Sequence, residues 1–208
     1  GAVLVGHLAP RLAFQVGGVA RDVPPYYVGY ATGGVWKTVN GGSSFEPVFD
    51  RYRTSHVGAV AIAQSSPNVV WVGTGEANNR NSSSYGDGVF KSTDAGRTFQ
   101  DMGLRGTQAI HRIAVHPTNP DIVLVAAVGA LYGPNPERGV YRTTDGGRTW
   151  SKTLYVDENT GANNVVFVPG NPNVVFASTY ERRRTAWGYN GGGPGSGIWK
   201  TGDRRAKW

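Results

Sequence analysis

The 208-residue chain has no cysteine and a single methionine. Disulfides and thiolate metal sites are therefore excluded, and cysteine usage says nothing about the redox compartment. It also lacks any run near the ~20 apolar residues that a helix needs to cross a bilayer, so no membrane-spanning helix is expected. Helix-period spacing is hard to find, whereas 31 Gly and 12 Pro fit short strands and tight turns, so almost no helix is expected. Acidic residues are few, 14 against 21 Lys and Arg, leaving a net charge of +7. That balance raises nucleic acid as a partner. The basic residues are scattered, however, at positions such as Lys37, Lys91, Arg142 and Lys200, and no nucleic-acid module accompanies them; no nucleic-acid partner is expected. Residues 1–8 lack the basic segment and long apolar core of a secretion signal, which reads as a processed or truncated start.

What the chain has is a repeat. Four times an apolar-aromatic-basic-hydroxyl run leads into an Asp or Asn and closes five residues later on a large aromatic ring. The copies are Val35-Trp36-Lys37-Thr38-Val39-Asn40-Gly41-Gly42-Ser43-Ser44-Phe45, Val89-Phe90-Lys91-Ser92-Thr93-Asp94-Ala95-Gly96-Arg97-Thr98-Phe99 and Val140-Tyr141-Arg142-Thr143-Thr144-Asp145-Gly146-Gly147-Arg148-Thr149-Trp150. A worn copy, Ile198-Trp199-Lys200-Thr201-Gly202-Asp203-Arg204-Arg205-Ala206-Lys207-Trp208, follows. The polar position recurs at 40, 94, 145 and 203, at spacings of 54, 51 and 58 residues, the period of a supersecondary unit. An Asx side chain can accept hydrogen bonds from the N–H groups of its own tight turn, and Gly supplies the positive φ. Asn40, Asp94, Asp145 and Asp203 are therefore read as structural, since a carboxylate consumed by its own turn is unavailable for proton transfer.

Upstream of each turn lie two more strand-like runs split by a Pro/Asn turn: 57–63 and 69–73, 112–115 and 122–127, 164–168 and 174–178. Proline and Asn end a strand and supply turn dihedrals, so each unit holds four antiparallel strands, A to D. Four-stranded units repeated radially make an all-β propeller. The units fall at about 11–49, 50–101, 102–155 and 156–208, the last incomplete.

The Ser/Thr-x-Asp-x-Gly-x-Thr-Trp/Phe pattern resembles the Asp-box, or BNR repeat. From about Phe14 onward the chain is similar to bacterial propeller proteins related to the ligand-binding domain of sortilin and to BNR glycosyl-hydrolase-like proteins. Sialidases, xyloglucanases, photosystem assembly factors and sortilin-type receptors all carry the box, so it implies a fold and not an activity. The resemblance implies export, to the periplasm or the extracellular space. It also implies six or more blades, so the chain is expected to be a piece of a larger propeller and to bind the rest of it.

Strand C runs from the B–C loop at one end to the box turn at the other, which places these two loop sets on opposite faces. The box face also carries the A–B turns and reads as structural. The other face carries the D–A connections and B–C loops at 29–34, 73–88, 129–139 and 179–197, and loops beyond about a dozen residues are commonly functional. Candidate ligand-binding residues there are Glu76, Asn78, Asn79, Arg80, Tyr85, Arg112, Tyr132, Arg138, Arg182, Arg183, Arg184, Trp187 and Tyr189. Guanidinium forks grip carboxylates and aromatic faces stack on sugar rings or prolines. The plainer alternative is that Glu76, Asp87 and Glu181 simply pair with Arg80 and residues 182–184.

Two function classes follow. A sialidase-like hydrolase needs an arginine clamp and a Tyr activated by Glu, but Tyr180 and Glu181 are adjacent and would point to opposite sides of a strand. An endo-glucanase-like hydrolase needs two acids across the scissile bond, for which Glu76, Asp87 and Glu181 are the catalytic candidates, with Glu137 and Asp157 behind them. The preferred expectation is a non-catalytic scaffold that binds a peptide, protein or glycan on the long-loop face. No cofactor is expected, and no metal, because His7, His56, His111 and His116 fall in different elements.

Overall fold

The computed structural model describes residues 25–78, 83–202 and 208, together with the backbone of residues 13–18. Asn79, Arg80 and Asp203, all singled out above, lie outside the described residues. The described chain is all-β apart from one 3-10 turn at Arg105–Thr107. Four four-stranded sheets follow one another in sequence. The first holds β1 (Ala13–Gly18), β2 (Tyr26–Tyr30), β3 (Gly34–Thr38) and β4 (Glu46–Pro47) in that order. The second holds β5 (Val57–Ile62), β6 (Val70–Thr74), β7 (Val89–Ser92) and β8 (Gln100–Asp101). The third holds β9 (Ile110–Val115), β10 (Val123–Ala127), β11 (Gly139–Thr143) and β12 (Ser151–Leu154).

The fourth sheet departs from the sequence reading. After β13 (Thr160–Val168), strand β14 does not stop near residue 178 but runs through Asn171–Thr185. It folds back into β15 (Gly188–Gly191) before β16 (Gly197–Thr201) pairs with its first half. Residues 182–191 were expected to be loop. They form a hairpin arm instead, because Arg182, Arg183 and Arg184 find ladder partners in Gly191, Asn190 and Tyr189.

The box turns carry the bonds expected of them. Asp94 Oδ1 accepts Ser92 Oγ–H at 2.7 Å and the N–H groups of Arg97 and Thr98 at 3.0 and 2.9 Å, while its Oδ2 accepts Thr98 Oγ1–H at 2.7 Å. Asp145 repeats this with Thr143 and Thr149. In the first sheet Asn40 Oδ1 accepts Thr38 Oγ1–H at 2.9 Å and Ser44 N–H at 3.0 Å, and its Nδ2 donates to Ser44 Oγ at 2.9 Å. The hydroxyl is thus donor to Asp and acceptor from Asn, which is why both residues serve. Each turn carries positive φ at two successive positions, Gly41 and Gly42, Ala95 and Gly96, Gly146 and Gly147.

Alternation along the strands buries one face of each sheet against the sheet before it and the other against the sheet after it. Tyr27, Val35 and Phe49 pack on Val57, Val72, Phe90 and Phe99 between the first and second sheets. Trp71 and Val89 pack on Ile110, Ile113, Tyr141 and Trp150 between the second and third. Leu124 and Val140 pack on Val165, Val175, Trp199 and Trp208 between the third and fourth. The basic residue of strand C adds a polar link. Lys37 Nζ donates to Ala95 O of the next box turn at 2.8 Å, and Lys91 Nζ donates to Gly146 O at 3.0 Å. These two lysines, among the scattered basic residues, clasp one sheet to the next.

Candidate functional site

The box turns of the second and third sheets bond to the A–B turns of their own sheets, Ala95 N–H to Asn68 O at 2.9 Å and Gly146 N–H to Asp121 O at 3.0 Å. One rim is therefore closed by backbone. The opposite rim is built from the connections of the second, third and fourth sheets. Residues 75–78 and 83–88 fold inward: Gly75 N–H donates to His56 O at 2.8 Å, Glu76 N–H to Ser84 O at 2.9 Å and Gly86 N–H to Gln108 O at 2.7 Å. Only glycine fits at 75, where φ is +90 and a Cβ would lie 2.0 Å from Gln108 O. Ser83 Oγ donates to Asn78 O at 2.9 Å, and Glu76 is buried.

Arginines lace the three connections together. Arg182 is buried and its Nη1 donates to Ala77 O at 2.7 Å, so the fourth sheet's hairpin arm reaches the second sheet's loop. Arg184 N–H donates to Leu131 O at 2.9 Å, laying the same arm across the third sheet's loop. Arg138 is fully buried; its guanidinium donates to Glu158 O at 2.8 Å, Gly133 O at 3.0 Å and the carbonyls of Val128 and Ala130. Arg183 Nη2 donates to Asn159 Oδ1. Burial, then the charges of Arg182 and Arg183, bring Arg138 down to about 10, and burial brings Arg182 to about 10.

A bulge recurs near the loop end of each described A strand, at Phe14, Gly58, His111 and Asn163. Bulges re-aim side chains. In the third sheet it sets His111 beside Arg112 and Arg182; burial and then these two cations depress the imidazole pKa. Arg112 and Arg183 each have a buried Nε–H without an acceptor among the described residues. Around this cationic floor stand exposed aromatics: Tyr85, Tyr132, Tyr189 and, at the hairpin tip, Trp187, which is 90% exposed. The Arg184 guanidinium lies 5.7 Å from the Tyr189 ring centre.

The carboxylates are disposed otherwise. Asp87 pairs with Arg53 at 3.0 Å and Arg105 at 3.6 Å, and Asp101 shares both arginines. Glu181 Oε2 accepts Gly195 N–H at 3.2 Å and holds down the glycine-rich return of the arm. Asp87 does line a surface cavity of about 470 Å³ with Arg53, His56 and Tyr85. Among the described residues no three His, Asp or Glu converge as metal ligands. Asn159 and the carbonyl of Ala77, which hold Arg183 and Arg182, were not foreseen; neither carries a sequence signal.

Comparison with solved structures fixes the architecture. The chain superposes on the GH74 xyloglucanase from Xanthomonas campestris with a TM-score of 0.67 at 15% identity, over 93% of this chain and 29% of that one. For the GH74 enzyme of Niastella koreensis the TM-score is 0.63 at 17% identity, over 90% and 28%. The fold is that of a β-propeller. Its four sheets are blades. A structure described as YCF48 bound to D1 peptide also matches, with a TM-score of 0.54 at 14% identity, over 87% of this chain and 54% of that one. The chain therefore spans well under two thirds of each of these relatives. No protein-family profile and no curated protein matches it.

Proposed function

We propose that the chain is the recognition segment of an exported, non-catalytic β-propeller that takes an anionic peptide, protein or glycan on the rim formed by the connections of blades two to four. One observation carries this reading. On that rim Arg112, beside His111, and Arg183 each keep a buried Nε–H without an acceptor among the described residues, while Asp87 and Glu181 are occupied in holding loops. Unspent guanidinium donors in a half-buried setting favour a carboxylate, sulfate or phosphate, and Tyr132, Trp187 and Tyr189 offer flat surfaces beside them. Arg138 and Arg182 support the floor from beneath. The peptide complex of YCF48 is consistent with this use of the fold. A peptide-and-glycan array tests it: binding should favour acidic members and fall at least tenfold in Arg183→Ala and Trp187→Ala. Equal binding by the parent and both variants would remove the rim from recognition.

A second reading rests on Glu76, a buried carboxylate on the same rim. A glycoside hydrolase needs a carboxyl set against the scissile bond, and two of the superposed structures are GH74 enzymes. Turnover of β-glucans or sialosides that disappears in Glu76→Gln would establish a glycoside hydrolase. Absence of turnover from a protein that binds the array removes it.

A further inference from the structure

The seam between the first and second blades differs from the seam between the second and third at two charges. At the later seam Lys91 donates to Gly146 O and also has a counter-ion, because Asp121 Oδ1 of the next A–B turn lies 3.9 Å from its Nζ. Gly146 leaves the space in which the two meet: a Cβ there would lie 2.7 Å from Asp121 Oδ1 and 2.8 Å from Lys91 Nζ. Arg148 is folded onto its own turn, its Nε–H donating to Asp145 O at 3.1 Å.

The earlier seam has the same lysine without these partners. Lys37 donates to Ala95 O at 2.8 Å, and Ala95 N–H bonds to Asn68 O as Gly146 N–H bonds to Asp121 O, so Asn68 stands where Asp121 stands. A neutral amide replaces the carboxylate, and the methyl group of Ala95, at φ 58 against 73 for Gly146, takes up the meeting space. Among the described residues no carboxylate pairs with Lys37, and the Arg97 guanidinium, unlike that of Arg148, makes no hydrogen bond or ion pair. Burial and then the charge of Arg97 lower the Lys37 pKa, with Glu46 and Asp94 acting against them. Lys37, Arg51 and Arg97 line a cavity of about 620 Å³ whose remaining wall includes Glu46, Asp50 and Tyr52.

The geometry points to an anion seat in this cavity, on the rim opposite Arg183: the carboxylate, sulfate or phosphate head of a small organic ligand takes the place that Asp121 holds at the next seam. Lys37 Nζ keeps two further N–H donors for it and Arg97 its whole fork, while Tyr52 offers a flank to the body of the ligand. The seat is made of side chains, so an NMR titration that follows the Arg97 Nε–H resonance reads it apart from any binding at the other rim. Phenyl phosphate, phenyl sulfate and benzoate are the probes, with benzamidine as the cationic control, at low salt where such pairs are least screened. A saturable shift with at least one of the anions, with a Kd at or below about 1 mM, and none with benzamidine are expected. Asn68→Asp combined with Ala95→Gly rebuilds the arrangement of the next seam, and Gly accepts the positive φ without strain. That variant should bind at least about tenfold more weakly although Lys37 and Arg97 are both retained, and Arg183→Ala should bind as the parent does. No saturable shift with any of the three anions, a smaller loss in the Asn68→Asp/Ala95→Gly protein, or a loss in Arg183→Ala would each overturn the inference.

Discussion

Asp94 shows how a single side chain holds a turn. Burial alone would raise its pKa, but hydrogen bonds from Thr98, Ser92 and Arg97 outweigh it and bring the carboxyl to about 2. The unfolded chain titrates near 3.9. A depressed folded pKa stabilises the fold above about pH 4, and that contribution fades as pH falls toward 2. Asp94→Asn, which copies the natural Asn40, should keep the fold at pH 7 and flatten the loss of stability between pH 4 and 2; urea titrations across that window check it. The box was legible in the sequence because Asx, Gly and hydroxyl occur at fixed offsets. Ala95 was less so: it adopts φ 58, a conformation that a neighbouring Gly predicts only for itself.

Among the elements, the repeated C strands were legible and their ties were not. Lys91 read as one of several scattered charges, but it donates to Gly146 O at 3.0 Å and lies 5.0 Å from the Trp71 ring centre. Lys91→Met should cost about 1–2 kcal/mol of unfolding free energy, from one hydrogen bond and one cation–π contact. Arg138 is the sharper case. It was a candidate ligand contact because arginine in a polar loop usually faces solvent, whereas here four carbonyls turn inward and need its donors. Arg138→Ala should destabilise by more than about 3 kcal/mol, since buried carbonyls are left unpaired, and denaturant unfolding measures it. The hairpin arm escaped the sequence for a related reason. Glycine and proline after Tyr189 read as loop, yet strand pairing across Arg183 and Asn190 extends the ladder regardless of that composition.

For the whole molecule, a four-strand period and alternating burial gave the fold, because every unit repeats the same conflict of apolar faces and solves it by stacking on the next. The rim was legible as a location but not as an arrangement. Which arginines are spent on carbonyls and which keep free donors depends on contacts up to 105 residues apart, as between Arg182 and Ala77, and no local pattern encodes them. Its cationic character predicts binding that weakens as salt rises, since exposed charge pairs are screened. The most direct measurement is hydrogen–deuterium exchange with and without the tightest acidic ligand from the array. Protection confined to residues 75–78, 83–88, 108–112, 128–138, 157–163 and 180–191 is the predicted result; protection of the box turns at 40–45, 94–99 and 145–150 instead would contradict the assignment of recognition to the opposite rim.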